Sequence, residues 1–231
     1  VFSVEAGYGY VSQYINAKVN AYRTEWKDKT MVKAITPNRP EEGTLNLSGV
    51  NALHQGVEVE IKARPLNNLE LTAMASFGDW KWNSNASGYV LNAEGQPVNS
   101  KGEVVQPGSP DQAYASVNLK GIKVGNSAQT TIALGADYKF FKDMRIGLDY
   151  NFFDRNYADF TVNISKWGEN NFAQPWKTPS YHTLDLNYNY KFNIAGLKTS
   201  LNVNIDNLFD KEYIASSYDR SWLTVGNPRT A

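Results

Sequence analysis

The 231-residue chain carries 23 basic and 23 acidic side chains, a formal net charge of zero. That balance excludes the strong positive field a nucleic-acid binder needs to displace phosphate counterions, so no nucleic-acid partner is expected. With no cysteine, disulfide frameworks, thiolate metal sites and cysteine nucleophiles are excluded as well.

Taken from the N-terminus, apolar residues recur with a period of two. Eight strand segments are predicted near 2–10, 14–26, 55–64, 68–80, 128–140, 143–154, 181–192 and 196–208. The first pair carries Phe2, Val4, Ala6, Tyr8 and Tyr10, then Ile15, Ala17, Val19 and Ala21 on one face. The third reads Val57-Glu58-Val59-Glu60-Ile61-Lys62-Ala63-Arg64, apolar at every odd position and charged at every even one. Only an extended chain separates such a run onto two faces. The remaining segments repeat the pattern, for example with Leu71, Ala73, Ala75 and Phe77, with Met144, Ile146, Leu148, Tyr150 and Phe152, and with Leu197, Leu201, Val203 and Ile205. On the apolar parity charges occur only at segment ends beside long connections, as Arg23, Glu25, Asp79 and Asp154. The opposite face holds eight acids and seven bases, among them Glu58, Glu60, Lys62, Arg64, Glu70, Asp137, Arg145, Asp149 and Asp185.

Alternation alone leaves two architectures open. In a soluble β-sandwich the apolar face is a core; in a membrane barrel it meets lipid and the charges line the lumen. Three features favour the barrel. The segments exceed the 5–6 residues usual for globular strands and match the ~9–11 that cross a bilayer. Short turns near Val11–Gln13, Pro65–Asn67, Phe141–Lys142 and Asn193–Ala195 alternate with long polar connections over 27–54, 81–127, 155–180 and 209–228. Aromatic residues gather at both segment ends around an aliphatic middle, as two lipid–water interfaces select. The stretch 111–124 also alternates, but making it a spanning strand inverts the order of short and long loops; it is read as a hairpin inside the 81–127 connection. A mean hydropathy of −0.49 is compatible with a barrel, because only every second strand residue faces lipid.

Catalysis finds no support: His54 and His182 are the only histidines and no nucleophile or metalloprotease motif is present. No metal or cofactor is expected. Glu58 and Glu60 are read as ion-pair partners of Lys62, Arg64 and bases on neighbouring strands or a plug rather than as an acid–base pair. For the long connections, Trp82, Tyr89, Trp167, Phe172, Trp176, Tyr218 and Trp222 set flat apolar rings among Asn, Gln and Ser, a mixture suited to stacking on sugar rings or catecholate chelators.

The run Asn207-Leu208-Phe209-Asp210-Lys211-Glu212-Tyr213, after the strand ending at Asp206, resembles the TonB-dependent receptors. So do Ser3–Tyr8 with Tyr22, Gly56-Val57-Glu58 before Arg64-Pro65, and, in the manner of Bacteroidetes-type members, 124–130 and Tyr157-Ala158-Asp159-Phe160. The resemblance implies an all-β, antiparallel, 22-stranded transmembrane barrel of the bacterial outer membrane, with a plug in its lumen. It implies active uptake of a scarce ligand (siderophore, cobalamin-like or glycan). The implied partners are outer-membrane lipid, the plug, an energy-coupling TonB-type protein reached through the plug, and a surface lipoprotein. Residues 1–231 are read as a C-terminal portion of that barrel, with plug and final strand absent. The competing readings are a soluble β-sandwich carbohydrate-binding module and a small complete barrel acting as porin or adhesin.

Overall fold

The computed structural model describes residues 1–35, 42–160, 162, 174–218, 220 and 223–230. Its main feature is one antiparallel ladder of eight long strands: β1 (Phe2–Val11), β2 (Ile15–Ala34), β3 (Thr44–Leu66), β4 (Leu69–Trp82), β7 (Thr130–Phe141), β8 (Met144–Asp154), β9 (Tyr181–Ile194) and β10 (Leu197–Ile205). Each pairs with the next along the chain, so the topology is up-and-down. The short strands β5 (Ala86–Leu91) and β6 (Tyr114–Val117) branch from the upper part of β3, and β11 (Ile214–Ser217) pairs with β12 (Leu223–Val225). Among the described residues β1 and β10 end the ladder without pairing to each other, so the eight strands do not close into a small complete barrel.

The ladder holds the apolar parity on one side across every pairing, as in Ala21↔Val57↔Phe77 and Ala136↔Leu148↔Leu186. That side is not a core. Phe77, Leu134 and Leu201 are each 48% exposed and Leu148 is 40% exposed. No second sheet is stacked on the ladder among the described residues, and the sandwich reading falls. Apolar side chains left open at strand centres are the signature of a surface whose solvent is hydrocarbon. On the apolar parity the first charges above the aliphatic run are Arg23 on β2 and Asp79 on β4, and Val57 of β3 pairs with both Ala21 and Phe77, so β2 crosses with Ile15–Ala21, β3 with Val57–Leu66 and β4 with Leu69–Phe77.

The structure corrects the reading of 27–54 as loop: most of it is strand. β2 and β3 continue upward through two register shifts, one between Trp26 and Lys29 and one between Lys29 and Met31. Asp28 (φ 54°) and Gly49 (φ 69°) absorb the extra residues. A bulge shifts the side-chain parity by one, so Leu45 and Leu47 share a face with Val50 and Ala52, all buried. Simple alternation is lost there, although the buried face is continuous. The stretch 111–124 contains β6, which pairs only with β5 and lies off the spanning path.

The buried apolar core sits at this upper end, not between the spanning strands. Leu45, Leu47, Val50, Val90, Val117, Leu119 and Ile122 pack with Trp82 and Phe160. The long connections therefore build a packed external lobe, with a sheet of β2, β3, β5 and β6 whose inner face is covered by 92–113, 118–124, Phe160 and Val162.

Candidate functional site

Two regions carry polar chemistry: the charged face of the ladder and the rim where the ladder meets the external lobe. On the charged face, Glu70 of β4 accepts from both Lys62 Nζ (2.6 Å) and Arg64 (2.8 Å) of β3. Arg145 of β8 pairs with Asp137 of β7 at 2.6 Å. The expected pairing of Glu58 and Glu60 with Lys62 and Arg64 is therefore corrected. Residues two apart on one strand stand side by side, whereas Glu70 lies diagonally across the ladder within reach of both bases. Level with Arg145, Asn189 donates to Asn202 (2.5 Å); higher up, Asn187 donates to Asp149 (2.9 Å) and Asn151 to Asp185 (3.2 Å). Gln13, Tyr14, Lys62, Arg64, Glu70, Asp137, Lys139 and Arg145 line a trough of about 610 Å³ at the short-turn end. This face offers paired charges and amide groups in a fixed grid.

At the rim, sequence reasoning missed an aromatic group on the same face. Trp80 Nε1 donates to Tyr22 Oη (2.8 Å), and the His54 ring stacks on Trp80 at 5.4 Å. The group fits because Gly56 lacks a side chain: a Cβ there would stand 2.6 Å from the Phe77 carbonyl oxygen and 2.7 Å from Tyr22 Oη. The signal was present in the sequence as an aromatic or imidazole at one parity on three adjacent strands, but only the register aligns them. Burial lowers the His54 pKa below its ordinary value, with Lys29 adding to the effect, which favours the neutral ring. The Trp80 backbone is held by the buried Gln129 side chain, whose Nε2 donates to the Trp80 carbonyl (2.9 Å) and whose Oε1 accepts from its N–H (3.1 Å).

Ion pairs tie the external lobe to the rim. Lys33 donates to Asp159 at 2.5 Å and stands 4.2 Å from the Phe160 ring centroid. Asp79, just above the band, accepts from Lys123 and from Lys81 (3.3 Å). The hydrogen bond from Lys123 holds the Asp79 carboxyl below its ordinary value against partial burial, with Lys81 assisting. A depressed carboxylate contributes stability that is fully present above its unfolded pKa and is lost as pH falls through the folded one. Protection of the 119–124 amides, taken as protection factors that remove the intrinsic pH dependence of exchange, is therefore expected to fall as pH drops below about 4, and Asp79→Asn to remove that acid dependence while lowering protection at neutral pH; wild-type protection that stays flat from about pH 5 to about pH 2 refutes the tether.

Of the aromatic residues expected to capture a ligand, the four that are described do not form one group. Trp82 is only 6% exposed and packs edge-on against Phe160 at 5.8 Å; it is a core residue, placed inward by the regular parity of β4. Tyr89 is exposed, edge-on to Tyr114 at 5.0 Å, on the outer face of the lobe. Trp176 is half-buried with the Arg220 guanidinium 5.8 Å from its ring, and Tyr218 is exposed. Trp167, Phe172 and Trp222 lie outside the described residues.

The 207–213 run forms a pinned turn. Asn207 is buried with φ 51°; its Nδ2 donates to the carbonyls of Lys211 (3.0 Å) and Asn227 (3.1 Å), and its Oδ1 accepts from Lys211 N–H (2.9 Å). Asp210 accepts from Arg229 N–H (2.9 Å), and Thr230 bridges to Asp206. One asparagine thus folds the chain back beside β10, which explains why a short run can be so specific to one position in a barrel.

A sequence profile described as "TonB dependent receptor-like, beta-barrel" matches residues 1–208. No curated protein matches the chain in sequence. Three solved structures share its fold: the ferric-catecholate import receptor Fiu from E. coli K12 (13% identity, TM-score 0.58), the copper transporter OprC (15%, 0.59) and the FrpB iron transporter from Neisseria meningitidis (14%, 0.58). Each superposition covers 98% of this chain but only 26–29% of the other, so the chain spans little more than a quarter of these receptors' length. The profile match over nine-tenths of the sequence, on an open up-and-down ladder with an exposed apolar band, places the chain in the TonB-dependent receptor β-barrel family of the outer membrane.

Proposed function

We propose that this chain is a C-terminal portion of the barrel wall of an active importer. Its charged face docks a plug, and its external lobe forms part of the entrance for a scarce ligand such as a siderophore, a cobalamin-like cofactor or a glycan. The observation that carries the reading is the grid of Lys62, Arg64, Glu70, Asp137 and Arg145 on the face opposite the lipid band. An open aqueous pore has no need of so many ordered ion pairs at one end, whereas a plug domain presenting complementary polar groups does. A TonB-type energy-coupling protein then acts through the plug, and outer-membrane lipid surrounds the apolar face; a surface lipoprotein is a further proposed partner. The similar structures are a ferric-catecholate import receptor, a copper transporter and an iron transporter, which supports a metal-chelate cargo over the other classes.

The test is uptake by whole cells in which the gene for the complete receptor is deleted and restored. Across a panel of iron-loaded catecholate and hydroxamate chelators, cobalamin and oligosaccharides, at least one substrate should enter only in the restored strain, and collapse of the proton gradient should abolish that entry. Glu70→Lys, which sets three cations together at the trough, should reduce entry at unchanged receptor level. Uptake that ignores the proton gradient overturns the importer reading in favour of passive diffusion.

A further inference from the structure

The sheet of the external lobe has two faces of opposite character. Its inner face carries Leu45, Leu47, Val90 and Val117, all buried. Its outer face aligns two cross-strand rows: Asn46↔Tyr89↔Tyr114 and Ser48↔Ser87↔Ser116. Tyr89 is 47% and Tyr114 49% exposed, and their edge-on arrangement leaves ring surface open. Tyr114 Oη hydrogen-bonds Ser87 Oγ, fixing the ring against the serine row. None of the six residues carries a charge.

Register decides which way these rows point. The two bulges, one in each strand, keep Leu45, Leu47, Val50 and Ala52 on the side of Glu58 and Glu60, and so put Asn46 and Ser48 on the side of Val57, Val59 and Ile61. The tyrosine rows therefore continue the lipid-facing wall upward, turned away from the barrel mouth. Asn46 lies about ten ladder steps above Val57, which at ~3.3 Å per residue and a tilt of ~40° is a height of about 25 Å. Lipid headgroups reach only about 5–8 Å beyond the hydrocarbon. The face stands above the phosphates, where outer-leaflet glycolipids carry their sugars.

We propose that the Tyr89–Tyr114 face binds the saccharide of the surrounding outer-leaflet glycolipid, and does not belong to the ligand entrance. The chemistry matches: tyrosine rings stack on the C–H faces of sugar rings, while serine and asparagine exchange hydrogen bonds with ring hydroxyls. Phosphate recognition would call instead for Arg or Lys in the rows. The inference rests on the outer-membrane placement of the strands and is independent of what the receptor imports.

The complete receptor, purified in detergent, is titrated with phosphatase-treated core oligosaccharide released by mild acid from the host's own lipopolysaccharide, and separately with maltohexaose. Wild type should bind the core oligosaccharide, and the double variant Tyr89→Ala/Tyr114→Ala should bind it about tenfold more weakly. Tyr114→Phe, which keeps the ring, should stay within about threefold, and nutrient uptake by cells carrying the double variant should be unchanged. Absence of wild-type binding, or equal binding by the double variant, overturns the proposal. Equal affinity for maltohexaose overturns the assignment to membrane glycolipid, and loss of uptake with core binding retained returns the face to the ligand entrance.

Discussion

Trp82→Ala is expected to open the external lobe, costing about 3–5 kcal/mol, whereas Trp82→Phe costs less than about 1.5 kcal/mol. The indole is nearly fully buried among Leu47, Val117, Ile122 and Phe160, at the point where β4 gives way to β5 as the neighbour of β3. Truncation leaves a large cavity that strands held by their own ladder bonds cannot collapse into. Phenylalanine fills most of the volume and also removes a liability, since Trp82 Nε1 is buried without a hydrogen-bond partner among the described residues. Hydrogen exchange on the complete receptor should show loss of protection in β5 and β6 for the alanine variant alone, with β7–β10 unchanged in both. If Trp82 instead touched the imported ligand, the phenylalanine variant would lose uptake with the lobe still protected, and the core assignment would fail.

Leu148→Arg should cost about 2–4 kcal/mol in a bilayer, the penalty for a cation on the lipid face near the membrane midplane. Leu148 is flanked in register by Ala136 and Leu186, and all three point away from the charged grid. The paired control is Asn187→Arg, one ladder position over on the opposite face beside Asp149, where a new cation meets an acid and water and should cost under about 1 kcal/mol. Urea unfolding of the complete receptor in lipid vesicles, followed by the mobility shift between folded and heated bands, measures both. Equal penalties at Leu148 and Asn187 would mean that the two faces of the β8–β9 pair do not differ in their exposure to hydrocarbon.

How much of this was legible before any coordinates depends on where period-two alternation survives. Within the spanning parts nothing interrupts the pleat, so Val57-Glu58-Val59-Glu60 assigns its own faces and each strand repeats the vote of the last. The Asn207 run was legible for a different reason: part of its hydrogen bonding is local, with the Asn207 amide closing on Lys211 through both its oxygen and its nitrogen. The upper ends of β2 and β3 were not, because Asp28 and Gly49 each absorb an extra residue and reverse the parity, which a sequence pattern reports as noise. Trp82 looked like a ligand platform because it sat beside an Asn-Ser run; it proved to be core because segments up to 78 residues away fold over it.

The number of long ladder strands, their direction and the lipid-facing side came from the amino-acid order alone, since a two-residue period needs no distant partner to express itself. Which charges meet, which aromatics are buried, and that the long connections form a packed lobe with a tyrosine face turned outward were decided only by tertiary pairing. Those contacts join residues far apart in the chain through register shifts of a single residue, and no local regularity encodes them.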